Sequence, residues 1–410
     1  LDFDIKIAPW LTFSSVNNYS YYNSQTHGYY DPKSSSGEGV NGRTTEYNYV
    51  STRRYTNQLL RFKKSWGKHN VNALLAYEFN DYEMKYTDVY ATGFISGFED
   101  FMTAAKPEMA NGYRTAWAKQ SYFTQWRYDY DSRYYGELSL RRDGRSNFGS
   151  NNRYGNFFSV SGAWNINNES WFKADWVDQL KLRAAFGSVG NVPTSLYPSY
   201  SLYSVGATYN ENPGALISQI GNKDLTWEKT SSFNLGLDFG FLDGRISGSI
   251  DYYWNHTYDL LFYKTAPASS FPTVIDNIGK TKGQGLEISL MTDIIRTKDF
   301  DWTANWSYSH FKDEITELTG GVDKYVSGTK GLFVGNRVNA FYDYKVLGEW
   351  GIGEFDQYVE DFKAANEGKK PGCTGTKGYG TPGSPKILDK DGDGNITSDD
   401  RVLYNQDPNH

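Results

Sequence analysis

From Lys229 to Asn255 the chain reads KTSSFNLGLDFGFLDGRISGSIDYYWN, and no other stretch limits the possible folds as much. Phe233, Leu235, Leu237 and Phe239 alternate with Ser232, Asn234, Gly236 and Asp238. Beyond the Leu242-Asp243-Gly244 turn, Ile246, Ile250, Tyr252 and Trp254 alternate with Arg245, Ser247, Ser249 and Asp251. Successive side chains of a strand point to opposite faces, so this run is a tight hairpin with one apolar and one polar face. Such a hairpin suits a sandwich, in which two apolar faces meet, or a barrel whose apolar face meets lipid and whose polar face encloses water.

Recurrence and spacing decide between them. Leu1, Phe3, Ile5 and Ile7 alternate from the first residues, so the sequence is expected to begin partway through a larger protein. The pattern returns at Val71–Phe79, Tyr122–Tyr130, Gly136–Leu140, Phe158–Ile166, Leu180–Phe186, Leu286–Leu290 and Phe300–Tyr308, giving about a dozen strands. Short connections such as Ala8-Pro9, SWGKH, Asp131-Ser132 and RTKD alternate with long ones. Greek-key sandwiches have no reason to sort their loops this way, whereas membrane barrels have short turns on one side and long loops on the other. The expected fold is all-β, an antiparallel up-and-down transmembrane β-barrel with long extracellular loops. Arg127, Asp129, Glu137, Arg141, Lys181, Arg183, Asp238, Asp251 and Glu287 fall on the polar side, so a mixed-charge lumen wall is expected.

Composition agrees. Of the 410 residues 34 are Tyr, 24 Phe and 12 Trp, a density suited to strands and interfacial girdles. Mean hydropathy is only −0.66, and no apolar run approaches the roughly 20 residues of a spanning helix. A spanning strand of about ten alternating residues leaves no trace in such an average. The net charge of −6, without a basic block, excludes nucleic acid as a partner. Cys373 stands alone, so there is no disulfide framework. The five His residues are scattered, which leaves no zinc motif. No GxSxG, Walker loop or strand-to-helix GxGxxG is present, so no catalytic motif is found. Tyr197, Tyr200, Tyr203 and Tyr209 lie in a long loop, where packing is their expected use.

One local motif carries chemistry. DKDGDGNITSDD places Asp389, Asp391 and Asp393 at positions one, three and five of a twelve-residue calcium loop. Gly394 makes the sharp turn, Asn395 offers its backbone carbonyl, Thr397 stands at position nine and Asp400 closes the ring. Hard oxygen ligands at this spacing wrap one Ca²⁺, with Mg²⁺ second. Position twelve is Asp where Glu is usual, which weakens bidentate closure. GTPGSPKIL before the loop is not helical throughout, so the expected role is to staple an irregular segment.

Several ordered blocks carry a family resemblance: WEKTSSFNLGLDFGFLDGRISGSIDYYWNHTYDLL, IGKTKGQGLEISL with DFDWTANWSYS, FYDYKVLGEW leading to the calcium loop, and RYDYDSRYYGELSLRRDGRSNFG with RYGNFFSVSGAWNI. Together they resemble the barrel of the SusC-like (SusC/RagA) TonB-dependent outer-membrane transporters over nearly the whole chain. The resemblance implies an active importer of a glycan or peptide in the Gram-negative outer membrane, embedded in its lipid and without catalysis of its own. It implies part of a 22-stranded barrel, a SusD-like surface lipoprotein as lid, and TonB acting through a plug that, with the last strands, lies outside this sequence. On that topology residues 1–313 are barrel strands and loops, and 314–410 one large extracellular excursion carrying the calcium loop, expected at the lipoprotein interface. The alternative is a secreted Ca²⁺-dependent β-rich glycan-binding protein or glycosidase, which would be soluble without detergent.

Overall fold

The computed structural model describes residues 1–209, 212–264, 274–318, 321–327, 330–338, 340–375 and 377–404. Its main feature is a twelve-stranded sheet whose strands lie side by side in chain order. They are β1 (Asp2–Ala8), β2 (Leu11–Tyr30), β3 (Arg43–Trp66), β4 (His69–Thr92), β5 (Lys106–Tyr130), β6 (Tyr134–Arg145), β7 (Tyr154–Asn165), β8 (Val177–Asn191), β9 (Glu228–Phe241), β10 (Ile246–Tyr258), β11 (Lys280–Arg296) and β12 (Asp301–Glu317). From β1 to β10 every neighbouring pair is antiparallel. The chain divides into two compact units, Leu1–Ile278 with Gly285–His310, and Gly279–Gln284 with Phe311–His410.

Register turns the alternation of single strands into a continuous band. Leu11, Phe62, Ala73, Trp126, Leu138, Val160, Phe186, Phe233 and Trp254 lie side by side across nine strands, β2 to β10. Trp126 is 52% exposed and Trp254 37%, with Leu138, Val160, Phe186 and Phe233 between these values. A sandwich would bury such a row, and in water it would be a large apolar patch. Exposure of the band from β5 to β10, with Leu11, Phe62 and Ala73 half-buried, fits lipid instead and removes the ground for the secreted alternative. Towards the short turns the band ends in a chain of ring contacts. Trp66 to His69 is 5.6 Å between centroids, His69 to Tyr130 5.0 Å, Tyr130 to Tyr134 6.4 Å and Tyr134 to Trp164 6.4 Å. Amphipathic rings favour that depth, where hydrocarbon gives way to headgroups.

The connections differ from expectation in three ways. Residues 166–176 between β7 and β8 form a longer link than residues 146–153 on the opposite side, so the sorting of loop lengths has one exception. Strands β2, β4 and β5 continue far into what reads as loop, and β3 and β4 reach 24 residues and β5 25, against the 9–11 or so that cross a bilayer. The long loops also contain small hairpins, Leu202–Tyr209 with Asn212–Gln219 and Leu261–Lys264 with Val274–Asn277. Beneath these loops lies a compact core of Phe148, Phe157, Leu225, Trp227 and Ile275.

In the second unit, Phe341–Tyr344 pairs with Arg401–Tyr404, and Val346–Glu349 with Pro385–Ile387. Helix α1 (Glu354–Ala365) lies between them in sequence. Its Phe355, Tyr358 and Phe362 share one face at helical spacing and extend the ring cluster around Trp350 and Tyr379. No helix among the described residues is long and apolar enough to cross a membrane.

Candidate functional site

Two groupings carry chemistry, one in each unit. The first is the polar face of the sheet. Arg183 of β8 lies in register with Gly236 of β9, which lies opposite Asp251 of β10. A Cβ on Gly236 would stand 2.7 Å from Cζ of Arg183 and 2.5 Å from Oδ1 of Asp251, so only glycine leaves the guanidinium room to cross. Arg183 donates from Nε (2.8 Å) and Nη2 (2.6 Å) to both oxygens of Asp238, and from Nη2 to Asp251 (3.2 Å). This bidentate geometry fixes direction as well as charge.

Beside it Arg127 Nε donates to Glu137 (2.9 Å), whose other oxygen accepts from Gln125 (2.5 Å). Asn70 donates to Asp129 (2.6 Å), and the Lys181 ammonium lies 5.1 Å from the Tyr135 ring centroid. Arg141 bonds Asp143 (2.7 Å) and Ser121 (3.0 Å). Arg127, Asp129, Tyr135, Glu137, Arg183 and Asn234 border a concavity of about 470 Å³. These are arginine–carboxylate pairs spread over several strands, not a nucleophile with its base, and they suit contact with water and polar solutes.

The second grouping is the loop after Pro385–Ile387. Asp389, Asp391 and Asp393 each bring a carboxylate oxygen within 4.8 Å of the others. Backbone amides shape them: Asp389 accepts from Gly392 and Gly394, both at 2.8 Å, Asp391 from Asp393 (3.2 Å), and Asp393 from Asn395 (2.7 Å). Gly394 has φ +79°, and a Cβ there would meet Phe362 at 2.5 Å, so glycine is required. Asp400 is fully buried and stands outside the trio. Its oxygens accept from Lys390 (2.8 Å) and Thr397 (2.7 Å), and with Thr397 it caps the short 3₁₀ turn Ser398–Asp400. The Thr397 hydroxyl accepts from the Asp399 amide (3.2 Å), and the Asn395 side-chain amide donates to Asp393 (3.1 Å).

Electrostatically the trio is strained. The Asp393 amide favours the charged Asp391, yet burial and the charges of Asp393, Asp400 and Asp389 outweigh it and hold the Asp391 pKa above its ordinary value. The Asn395 side chain and amide hold Asp393 below. Crowded, hard oxygen donors of this kind fit Ca²⁺.

Next to the loop stands a group that sequence reading missed. Trp350 is buried against Phe355 (5.0 Å) and Tyr379 (6.0 Å), and Lys386 lies over its ring at 4.7 Å while pairing with Glu354 at 2.5 Å. Burial raises the Tyr358 phenol and the Cys373 thiol above their usual values. The helical spacing of Phe355, Tyr358 and Phe362 was the available signal. Among the loop tyrosines, Tyr197 donates to the Ala116 carbonyl (3.1 Å) and accepts from its amide (2.7 Å), fastening loop to strand. Tyr200 and Tyr203 are exposed, and the Tyr209 side chain lies outside the described residues.

Residues 1–382 match the sequence model of the TonB dependent receptor-like β-barrel family. The chain belongs to this family. A TonB-dependent receptor barrel is an outer-membrane barrel, so the exposed row through Trp126 and Phe233 is its lipid face and the Arg183 side faces the lumen. The match is of the SusC-like kind. The TonB-dependent receptor SusC of Bacteroides thetaiotaomicron is 30% identical over 399 residues, covering 89% of this chain and 36% of SusC. TonB-dependent receptor P3 of Formosa agariphila is 28% identical over 411 residues, covering 96% of this chain and 40% of its own. Among solved structures, that of the RagAB peptide transporter is similar at a TM-score of 0.76 and 28% identity, over 84% of this chain and 39% of that one. This receptor chain thus spans well under half the length of those relatives. The carboxylate loop lies beyond the residues matched by the family model.

Proposed function

We propose that the chain supplies part of the barrel of an active outer-membrane importer, which takes up an oligosaccharide or peptide nutrient. It works with a SusD-like surface lipoprotein and draws energy from TonB through a plug domain. One observation carries the reading: a lipid-exposed apolar row is backed, on the same strands, by a wall of paired charges around Arg183. Such a wall solvates a polar solute without offering one deep trap. A barrel of this width needs a plug, because unplugged it would leak. The name of one similar protein, the RagAB peptide transporter, supports the peptide class. In cells, the reading expects uptake of the nutrient to stop when TonB is deleted and to fall when the lipoprotein is removed. Undiminished uptake without TonB would reduce the protein to a passive porin.

We also assign Ca²⁺, with Mg²⁺ second, to the loop of Asp389, Asp391, Asp393, Asn395, Thr397 and Asp400. Asp389, Asp391 and Asp393 would hold the ion, with Asn395 and Thr397 completing the oxygen set and Asp400 bracing the loop from its far end. The ion supplies charge neutralisation. The chain's own contribution is to hold the loop between Pro385–Ile387 and Arg401–Tyr404. This staple forms part of the lipoprotein-binding surface. Chelation that left lipoprotein affinity and protease resistance unchanged would remove that placement.

A further inference from the structure

Strands β2 to β5 run well past the bilayer, and on the extensions of β3 to β5 the polarity changes phase, while β2 keeps Tyr19 and Tyr21 exposed on its outer face. On β4 the lipid-side residues Leu75, Tyr77 and Phe79 are followed on the same face by Asp81, Glu83 and Lys85, while the opposite face passes from Asn70 and Asn72 to Tyr82 and Tyr86. On β5 the lumen side passes from Asp129 and Arg127 to Trp117 and Tyr113. Outside the membrane the outer face meets water, which explains its pairs: Arg54 donates from Nε to Asp81 (3.0 Å), and Arg114 lies 3.4 Å from Glu83. Nothing in membrane insertion asks the inner face to become aromatic.

The rings on that inner face are continuous. Tyr49, Tyr86 and Tyr113 share one register row, and Tyr82 and Trp117 another. Tyr22 meets Tyr49 at 5.8 Å, Tyr86 meets Tyr113 at 5.2 Å, Tyr82 stacks on Trp117 at 6.0 Å, and the hydroxyls of Tyr49 and Tyr82 are 2.5 Å apart. Cross-strand ring pairs stabilise a ribbon, but that does not require open rings, and Tyr22 is 57% and Tyr113 52% exposed.

We infer that this ring platform is a binding surface for a neutral oligosaccharide, an inference that rests on the importer reading and sharpens its substrate class. Pyranose rings present flat C–H faces to aromatic rings and hydroxyls to their polar tips. The neighbouring polar groups suit hydroxyls better than charges. Arg53 is bonded to Asn80 (3.1 Å) and Lys119 is paired with Glu78. Asp88, in register with Tyr47 and Asn111 on the same face, keeps a buried oxygen without a hydrogen-bond partner. A peptide would seek an open strand edge, yet β3 and β4 are bonded on both sides along their length.

The test is calorimetric titration of the full-length protein in detergent with maltoheptaose, cellohexaose, laminarihexaose and xylohexaose, with a tryptic casein digest as the peptide arm. The expectation is that at least one sugar binds, that Tyr86→Ala with Tyr113→Ala weakens it about tenfold or more, and that the Phe pair retains it. Undiminished binding by the Ala pair, binding of the digest alone, or no binding of any sugar would overturn the platform. Heat-modifiable migration and TonB-dependent uptake are followed on the same proteins. If those fail, the importer reading fails; if only the titration fails, the platform does.

Discussion

Arg183 shows how much a single residue type decides on a strand. Its span to Asp238 and Asp251 exists because Gly236 carries no side chain, so Gly236→Val is expected to expel the guanidinium from both carboxylates. For a partly exposed network the cost is about 1–3 kcal/mol. It would be seen as a lower temperature for loss of the heat-modifiable band, and an unchanged temperature would mean that the pairs carry no stability. Glu354 allows a test by pH. Its bond to Lys386, aided by the Gly351 amide, lowers its pKa against the opposing effect of burial. A carboxylate depressed on folding stabilises above its unfolded pKa, and that contribution is lost as pH falls through its folded value. The Trp350 environment is therefore expected to loosen on acidification below the usual Glu range, read as the fluorescence difference between the protein and its Trp350→Phe variant. Lys386→Met should flatten that limb. The charged residues of the wall were legible in the sequence as a set. Their pairing was not, because who meets whom depends on register between strands.

At the level of elements, the membrane-crossing strands could be read almost directly, since lipid on one side and water on the other impose a period of two. The outer lengths of β2, β4 and β5 could not. On β4 both faces accept polar groups and the aromatic side has switched, so Asp81, Glu83 and Lys85 look like loop although they are strand. Helix α1 was missed because the residues of its packed face, Phe355, Tyr358 and Phe362, are aromatic and stand within an acidic segment. In the carboxylate loop the gathering of Asp389, Asp391 and Asp393 was legible in their spacing, whereas the burial of Asp400 and its capping pair with Thr397 were not. If the loop holds Ca²⁺, adding the ion should protect residues 385–404 from protease and a chelator should remove the protection. Asp389→Asn with Asp391→Asn should make the two conditions alike, because neutral amides are poorer ligands for a hard cation. Equal protection with and without the ion in the unaltered protein would discard the metal.

For the whole molecule, the decisive quantity is the environment of the exposed row. Leu138→Arg, placed in the middle of that row, should destabilise the folded barrel by about 2–4 kcal/mol in a bilayer. Glu137→Gln, one residue away on the opposite face, should cost far less. Urea titration of the protein in vesicles measures both, and equal effects would mean that lipid does not contact Leu138. Trp227 permits a companion measurement. Trp227→Ala leaves a hole among Phe148, Phe157 and Ile275, and large-to-small changes of this kind cost about 3–5 kcal/mol. Hydrogen exchange should then quicken together in residues 146–153, 192–227 and 259–264; quickening in one segment alone would show that they are independent.

That shared core also limits how the outer end of these strands can move. Three outer segments anchored on one indole cannot flap separately. Any gate built from them swings as a single door, so the elastic joints must be sought in the strands at its margin.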